Sequence, residues 1–139
     1  MKSLRTLLKL AKSELETLRR ALATASARLR RADLRMAAHE REVEWERQLA
    51  GQDYESARAF TAYVLLAAQQ SGALEAERRS IAKEIGELRT LVAAAHVEAR
   101  KFERLIELDE ARERMKRSKR EDAELDEMAT LRAGRQQQV

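Results

Sequence analysis

The chain has 139 residues, a length that suits one domain, and 37% of them are charged. Ala, Leu, Arg, Glu and Lys make up about two-thirds of it, well past the ~50% at which composition signals long helices or coiled coils. Proline is absent, glycine occurs four times and aromatics amount to 4%, which excludes turn-rich sheet architectures and an aromatic globular core.

The first predicted element is a helix over residues 1–50. Stepping alternately by four and three from Leu4 gives Leu8, Ala11, Leu15, Leu18, Leu22, Ala25, Leu29, Ala32, Met36, His39 and Val43. Only His39 in that run is not apolar, so the helix carries a coiled-coil seam. The rhythm fails at Trp45 and Leu49, and Ala50-Gly51-Gln52-Asp53 offers a glycine C-cap followed by polar residues.

A turn is expected over 51–55 and a second helix over 56–133, with a frayed tail over 134–139. Its seam runs Phe60, Val64, Ala67, Ser71, Leu74, Arg78, Ile81, Ile85, Leu88, Val92, Ala95, Ala99, Phe102, Ile106 and Asp109. A short connection makes two such helices antiparallel neighbours. The expected fold is therefore all-α, a long two-helix antiparallel coiled-coil hairpin bending near 51–55.

In that arrangement facing residue numbers share a constant sum. A sum of 103 faces Leu15 with Leu88, Leu22 with Ile81 and Val43 with Phe60, and turns at Gly51–Gln52. A sum of 110 turns at Glu55 and faces His39 with Ser71; both keep the bend within 51–55. Pairing leaves 107–139 as a C-terminal helical overhang, supported by Glu110→Arg114 and Glu113→Arg117 pairs worth ~0.2–0.5 kcal/mol each.

Chemistry is sparse. There is no cysteine, no glycine-rich phosphate loop and no HExxH, and the carboxylate pairs Glu42/Glu46 and Glu103/Glu107 read as solvated faces. His39 reads as a polar seam residue that fixes register, as do Ser71 and Arg78, and His96 reads as a surface residue. The expectation is a non-enzyme without cofactor or metal. The start MKSLRTLLKLAK has no long apolar core, and the stretch Phe60–Ala68 is too short for the ~20 residues a bilayer requires, so a soluble cytosolic protein is expected.

Three features could carry binding. Trp45, Tyr54, Phe60 and Tyr63 cluster four of the five aromatics around the bend, either packing locally or facing a partner. Residues 1–35 carry a net +7, and the run Arg112, Arg114, Lys116, Arg117, Lys119, Arg120 makes 112–120 a net +5. That positive end suits an acidic protein, an anionic surface or nucleic acid, though Glu113 and the acids of 121–127 speak against nucleic acid. Finally Leu125, Met128, Ala129 and Leu131 or Arg132 recur at helical spacing in a segment without an intramolecular partner.

The leucine-rich basic start (KSLRTLLKLAK), the aromatic-bearing bend (Trp45, Phe60, Tyr63) and the ending Glu124-Leu125-Asp126-Glu127-Met128-Ala129 with Arg132 and Arg135 resemble the flagellar export protein FliJ family. The resemblance covers the whole layout and implies a stalk subunit of type III secretion, serving flagellum biogenesis, motility and chemotaxis. It implies that the terminal end inserts into a hexameric export ATPase ring through Leu4, Leu8, Leu125, Asp126, Glu127, Ala129 and Arg132. A surface around Arg41, Trp45, Tyr63, Ala67 and Gln70 would meet the cytoplasmic linker of the membrane export gate, and export chaperones would be further partners. Arg41 departs from the aromatic expected on that surface. The implied location is cytoplasmic, peripheral at the cytoplasmic face of the inner membrane. The alternative is a nucleic-acid-binding or generic scaffold coiled coil using the basic end.

Overall fold

A computed structural model describes residues 2–137, Lys2 through its backbone alone. They form two helices, α1 over Lys2–Ala50 and α2 over Tyr54–Gln137, and the described residues contain no strand. The fold is all-α. The chain divides into two compact units: Glu14–Ala94 is one, and residues 2–13 with 95–137 belong to the other.

Within Glu14–Ala94 the helices lie antiparallel around a narrow core. Ala25 and Ala32 of α1 meet Ile81 and Ile85 of α2, with Leu22, Leu29 and Leu88 packed against them. Burying each isoleucine side chain contributes about 1.5–3 kcal/mol, while the small alanines opposite let the helices approach. Every seam position from Leu15 to Val43 is buried or half-buried. On α2 the exceptions are Val64 and Arg78, both exposed. Arg78 reaches out of the seam to Asp33 at 2.7 Å and Glu75 at 3.7 Å.

Register in this unit matches neither sum: the numbers of His39 and Ala67 add to 106, those of Asp33 and Arg78 to 111, and those of Arg28 and Glu84 and of Arg35 and Glu77 to 112. The core cluster brings Leu22, Ala25, Leu29 and Ala32 of α1 together with Ile81, Ile85 and Leu88 of α2, and the turn occupies 51–53 and not Glu55. The ion-pair sums run higher because helical side chains lean toward their own N-terminus. In an antiparallel pair the tips that meet therefore belong to residues whose numbers sum higher than those of the facing backbone. The ion pairs Arg28–Glu84 at 2.8 Å and Arg35–Glu77 at 2.6 Å, made by long side chains, show that offset.

The turn is tighter than the sequence suggests. α2 begins at Tyr54, two residues before the expected start at 56, because Asp53 caps it: its Oδ1 accepts from the Ser56 backbone N–H at 2.6 Å. Gly51 is not a left-handed C-cap, since no described residue has positive φ. Its N–H donates to the Gln48 carbonyl and that of Gln52 to Leu49, closing α1 with a 3₁₀-like turn.

In the other unit the start of α1 also pairs with α2. Ala11 and Ala99 are buried, Lys12 meets Glu103 at 3.6 Å and Arg5 meets Glu110 at 3.5 Å. Pairing thus continues to Glu110, and the overhang expected from 107 begins at 111; residues 111–137 are exposed throughout. Glu110 serves Arg5 and Glu113 serves Lys116 at 3.8 Å, in place of the expected i,i+4 partners Arg114 and Arg117. The helix does not fray at Gly134 but runs to Gln137, because a lone glycine among Ala, Arg and Gln costs only ~1 kcal/mol; 138 and 139 lie outside the described residues.

Two outcomes test this reading. Gly86 is mid-helix and exposed, and a Cβ there would meet nothing within 4 Å. Gly86→Ala should raise unfolding free energy by about 0.5–1 kcal/mol in urea denaturation. The Ser56 hydrogen bonds, backbone and then side chain, hold the Asp53 carboxyl below its ordinary value of 3.8. A folded-state pKa lowered in this way gives stability that is full above 3.8 and lost as pH falls through the folded value. Asp53→Ala should therefore lower the thermal midpoint at neutral pH, with the deficit shrinking on acidification; a deficit unchanged down to low pH would contradict the cap.

Candidate interaction surfaces

His39 is the buried polar residue of the α1 seam, and its Nε2 lies 3.1 Å from the Ala67 carbonyl of α2. A carbonyl can only accept, so Nε2 carries the proton and donates. The bond ties one helix to the backbone of the other at a single height, which is the register-fixing role read from the sequence. A shallow groove of about 370 Å³ opens beside it, floored by Val43, Val64, Ala67 and Ser71 and rimmed by Glu40, Glu44 and Arg47.

The residues assigned to the export gate all lie in Glu14–Ala94, and they differ in exposure. Arg41, Trp45 and Gln70 are exposed, Trp45 at 61%, and Tyr63 is half-buried. Ala67 is 4% exposed beneath His39 and offers no side chain to a partner, which corrects its assignment. Its heptad place had marked it as seam. The Tyr63 ring packs against Phe60 with centroids 6.0 Å apart. Desolvation, then the charges of Glu42 and Glu46, push its phenol above the ordinary range, so it keeps its O–H donor across neutral pH. The aromatics near the turn thus divide: Phe60 and Tyr63 pack locally, while Trp45 and Tyr54 face solvent.

The residues assigned to the ATPase ring lie in the other unit. Leu4 and Leu8 are half-buried in the seam, and the leucines that α1 presents to solvent there are Leu7 at 43% and Leu10 at 62%. Sequence reasoning missed these two; being off the heptad register was the signal that could have found them. On α2, Leu125, Met128, Ala129, Arg132, Ala133 and Gln136 line one shallow apolar face, while Asp126 and Glu127 are exposed beside it. The basic run is exposed throughout, and among the described residues only its Lys116 has a carboxylate within 4.0 Å.

Among the described residues no group of three or more His, Cys, Asp or Glu could hold a metal ion, and no helix is long and apolar enough to cross a membrane. The described helices expose apolar and charged stripes, and define an all-α protein of two long helices. The chain belongs to the FliJ family: the model of the flagellar FliJ protein matches residues 1–138. Membership makes it an export-related flagellar component. No curated protein and no solved structure matches it.

His39→Ala removes the cross-helix bond and leaves a gap in the seam, and should cost about 1–3 kcal/mol of unfolding free energy in urea. His39→Leu, which refills the seam, should recover most of that loss. A loss equal to alanine's would show that the hydrogen bond, and not the packing, carries the effect.

Proposed function

We propose that this chain is a non-enzymatic stalk and coupling subunit of the flagellar type III export apparatus. Residues 2–13 and 111–137 enter the export ATPase ring, with Leu125, Asp126, Glu127, Ala129 and Arg132 as the contact and the basic residues Arg112–Arg120 facing acidic ring surface. Leu7 and Leu10 join Leu4 and Leu8 at the start of α1. The surface around Arg41, Trp45, Tyr63 and Gln70 meets the cytoplasmic linker of the export gate, and export chaperones dock on the same subunit. Work at the cytoplasmic face of the inner membrane follows from those partners.

The observation that carries this reading is the exposed length of α2 beyond Glu110. At 1.5 Å per residue, residues 111–137 give roughly 40 Å of helix with an apolar face and no intramolecular partner. Family membership supplies the apparatus. Helix-in-groove docking supplies the mode, with anchors at i, i+3, i+4 and i+7.

The test is binding and stimulation of purified export ATPase. Leu125→Glu with Ala129→Glu should weaken the complex about tenfold or more and abolish stimulation. Stability should stay within about 0.5 kcal/mol of wild type, because both positions are exposed. Trp45→Ala should spare the ATPase complex and weaken binding to the gate linker. Unchanged stimulation by the double variant would overturn the ring contact.

A further inference from the structure

Past Glu110, α2 carries a second heptad run distinct from the one that pairs with α1. Leu108, Ala111, Met115, Ser118, Asp122, Leu125, Ala129 and Arg132 follow alternating steps of three and four. This run sits two residues after the first seam (Ile106, Asp109), so it is turned by ~200° at 100° per residue and faces away from α1. All eight positions are exposed, Leu108 at 40%, Met115 at 61% and Leu125 at 63%.

The charges along this segment are self-complementary. Residues 112–120 carry a net +5, and Glu121, Asp122, Glu124, Asp126 and Glu127 make 121–127 a net −5. A second copy laid parallel in register would set plus against plus and minus against minus. Laid antiparallel, with facing numbers summing to 240, it sets each block against its opposite. That same sum faces Met115 with Leu125, Ala111 with Ala129 and Ser118 with Asp122, every pair occurring twice about the two-fold axis.

We infer that residues 108–132 form an antiparallel, self-complementary coiled coil with a second copy of this chain. Leu125 and Met115 are its apolar anchors. The Ser118 hydroxyl donates to the partner chain's Asp122 carboxylate near the axis, a polar pair that holds the register as buried polar residues do in zippers. At that sum Arg114 lies level with the partner chain's Asp126, Lys116 with Glu124 and Lys119 with Glu121. Such an interface is isologous and closes at two chains, so it does not propagate into a filament. Five apolar positions in eight make it weak, and its flanking pairs make it weaker still as salt rises. The inference does not rest on the proposed export role.

The chain has no native cysteine, so a cysteine cross-link reads the orientation directly. Full-length Met115→Cys and Leu125→Cys chains are oxidised separately and as a mixture, with no ATPase present in any arm. The antiparallel dimer gives a covalent dimer in the mixture and little in either chain alone. Sedimentation equilibrium of the wild-type chain should show a monomer–dimer equilibrium that weakens with added salt. Arg114→Glu with Lys119→Glu should weaken it about tenfold or more, as should Glu121→Arg with Asp126→Arg, and mixing the two variants should restore it. A wild-type chain monomeric at low salt and high concentration overturns the inference. So does self-cross-linking of Met115→Cys, which would mean parallel pairing, and so does a charge-swapped mixture that stays monomeric while circular dichroism shows full helicity.

Discussion

A seam between two helices covers one stripe on each and nothing more, and the rest of this structure depends on that limit. Among the described residues eight apolar ones are buried, five of them alanines, and no large side chain is fully enclosed. Such a seam is also ambiguous. A heptad pattern repeats every seven residues, so sliding one helix past the other by seven restores apolar facing apolar at little cost in burial. Apolar residues can specify that the helices pair and which faces meet, but not the height at which they meet.

What breaks the degeneracy is polar. The bond from His39 to the Ala67 carbonyl and the ion pairs Arg28–Glu84, Arg35–Glu77 and Arg78–Asp33 occur once each along the pair. A seven-residue slip breaks all of them together. Exposed ion pairs contribute only ~0–1 kcal/mol apiece, too little to drive association. Their sum is enough to select one register among several otherwise nearly equivalent ones. Stability therefore resides in the alanine, leucine and isoleucine stripe, and specificity in groups that add little to stability.

This division explains what could be read in advance. The helices, their pairing and their seam faces were legible because period and composition decide them, and every seam position of α1 is indeed buried or half-buried. The register was not legible, because it rests on long side chains whose lean separates the heights of tips and backbones. Gly51 misled because glycine usually ends helices with positive φ, while here the last turn tightens and Asp53 starts the next helix. Of the candidate contacts, Ala67, Leu4 and Leu8 were chosen by resemblance although their heptad places had assigned them to the seam. The exposed Leu7 and Leu10 lie within the KSLRTLLKLAK start but off its heptad register, and that misfit marks them.

The end of the first seam coincides with the loss of its partner. Continued past Asp109, its positions would be Glu113, Lys116, Arg120, Ala123 and Glu127, nearly all charged, and this change falls where pairing stops at Arg5–Glu110. A helix with no further partner would be expected to turn polar all round. This one does not: the opposite face takes up Met115, Leu125 and Ala129 at the same heptad period, framed by charge blocks of opposite sign. A merely solvated extension needs neither the apolar positions nor their period. Exposed large apolar residues also carry a risk of non-specific association, and here Met115, Leu125 and Met128 gather on one side of the helix while Leu131 lies off it. The α2 helix thus changes the face on which its apolar heptad positions lie at the point where its pairing with α1 ends, and that face stays uncovered over 111–137.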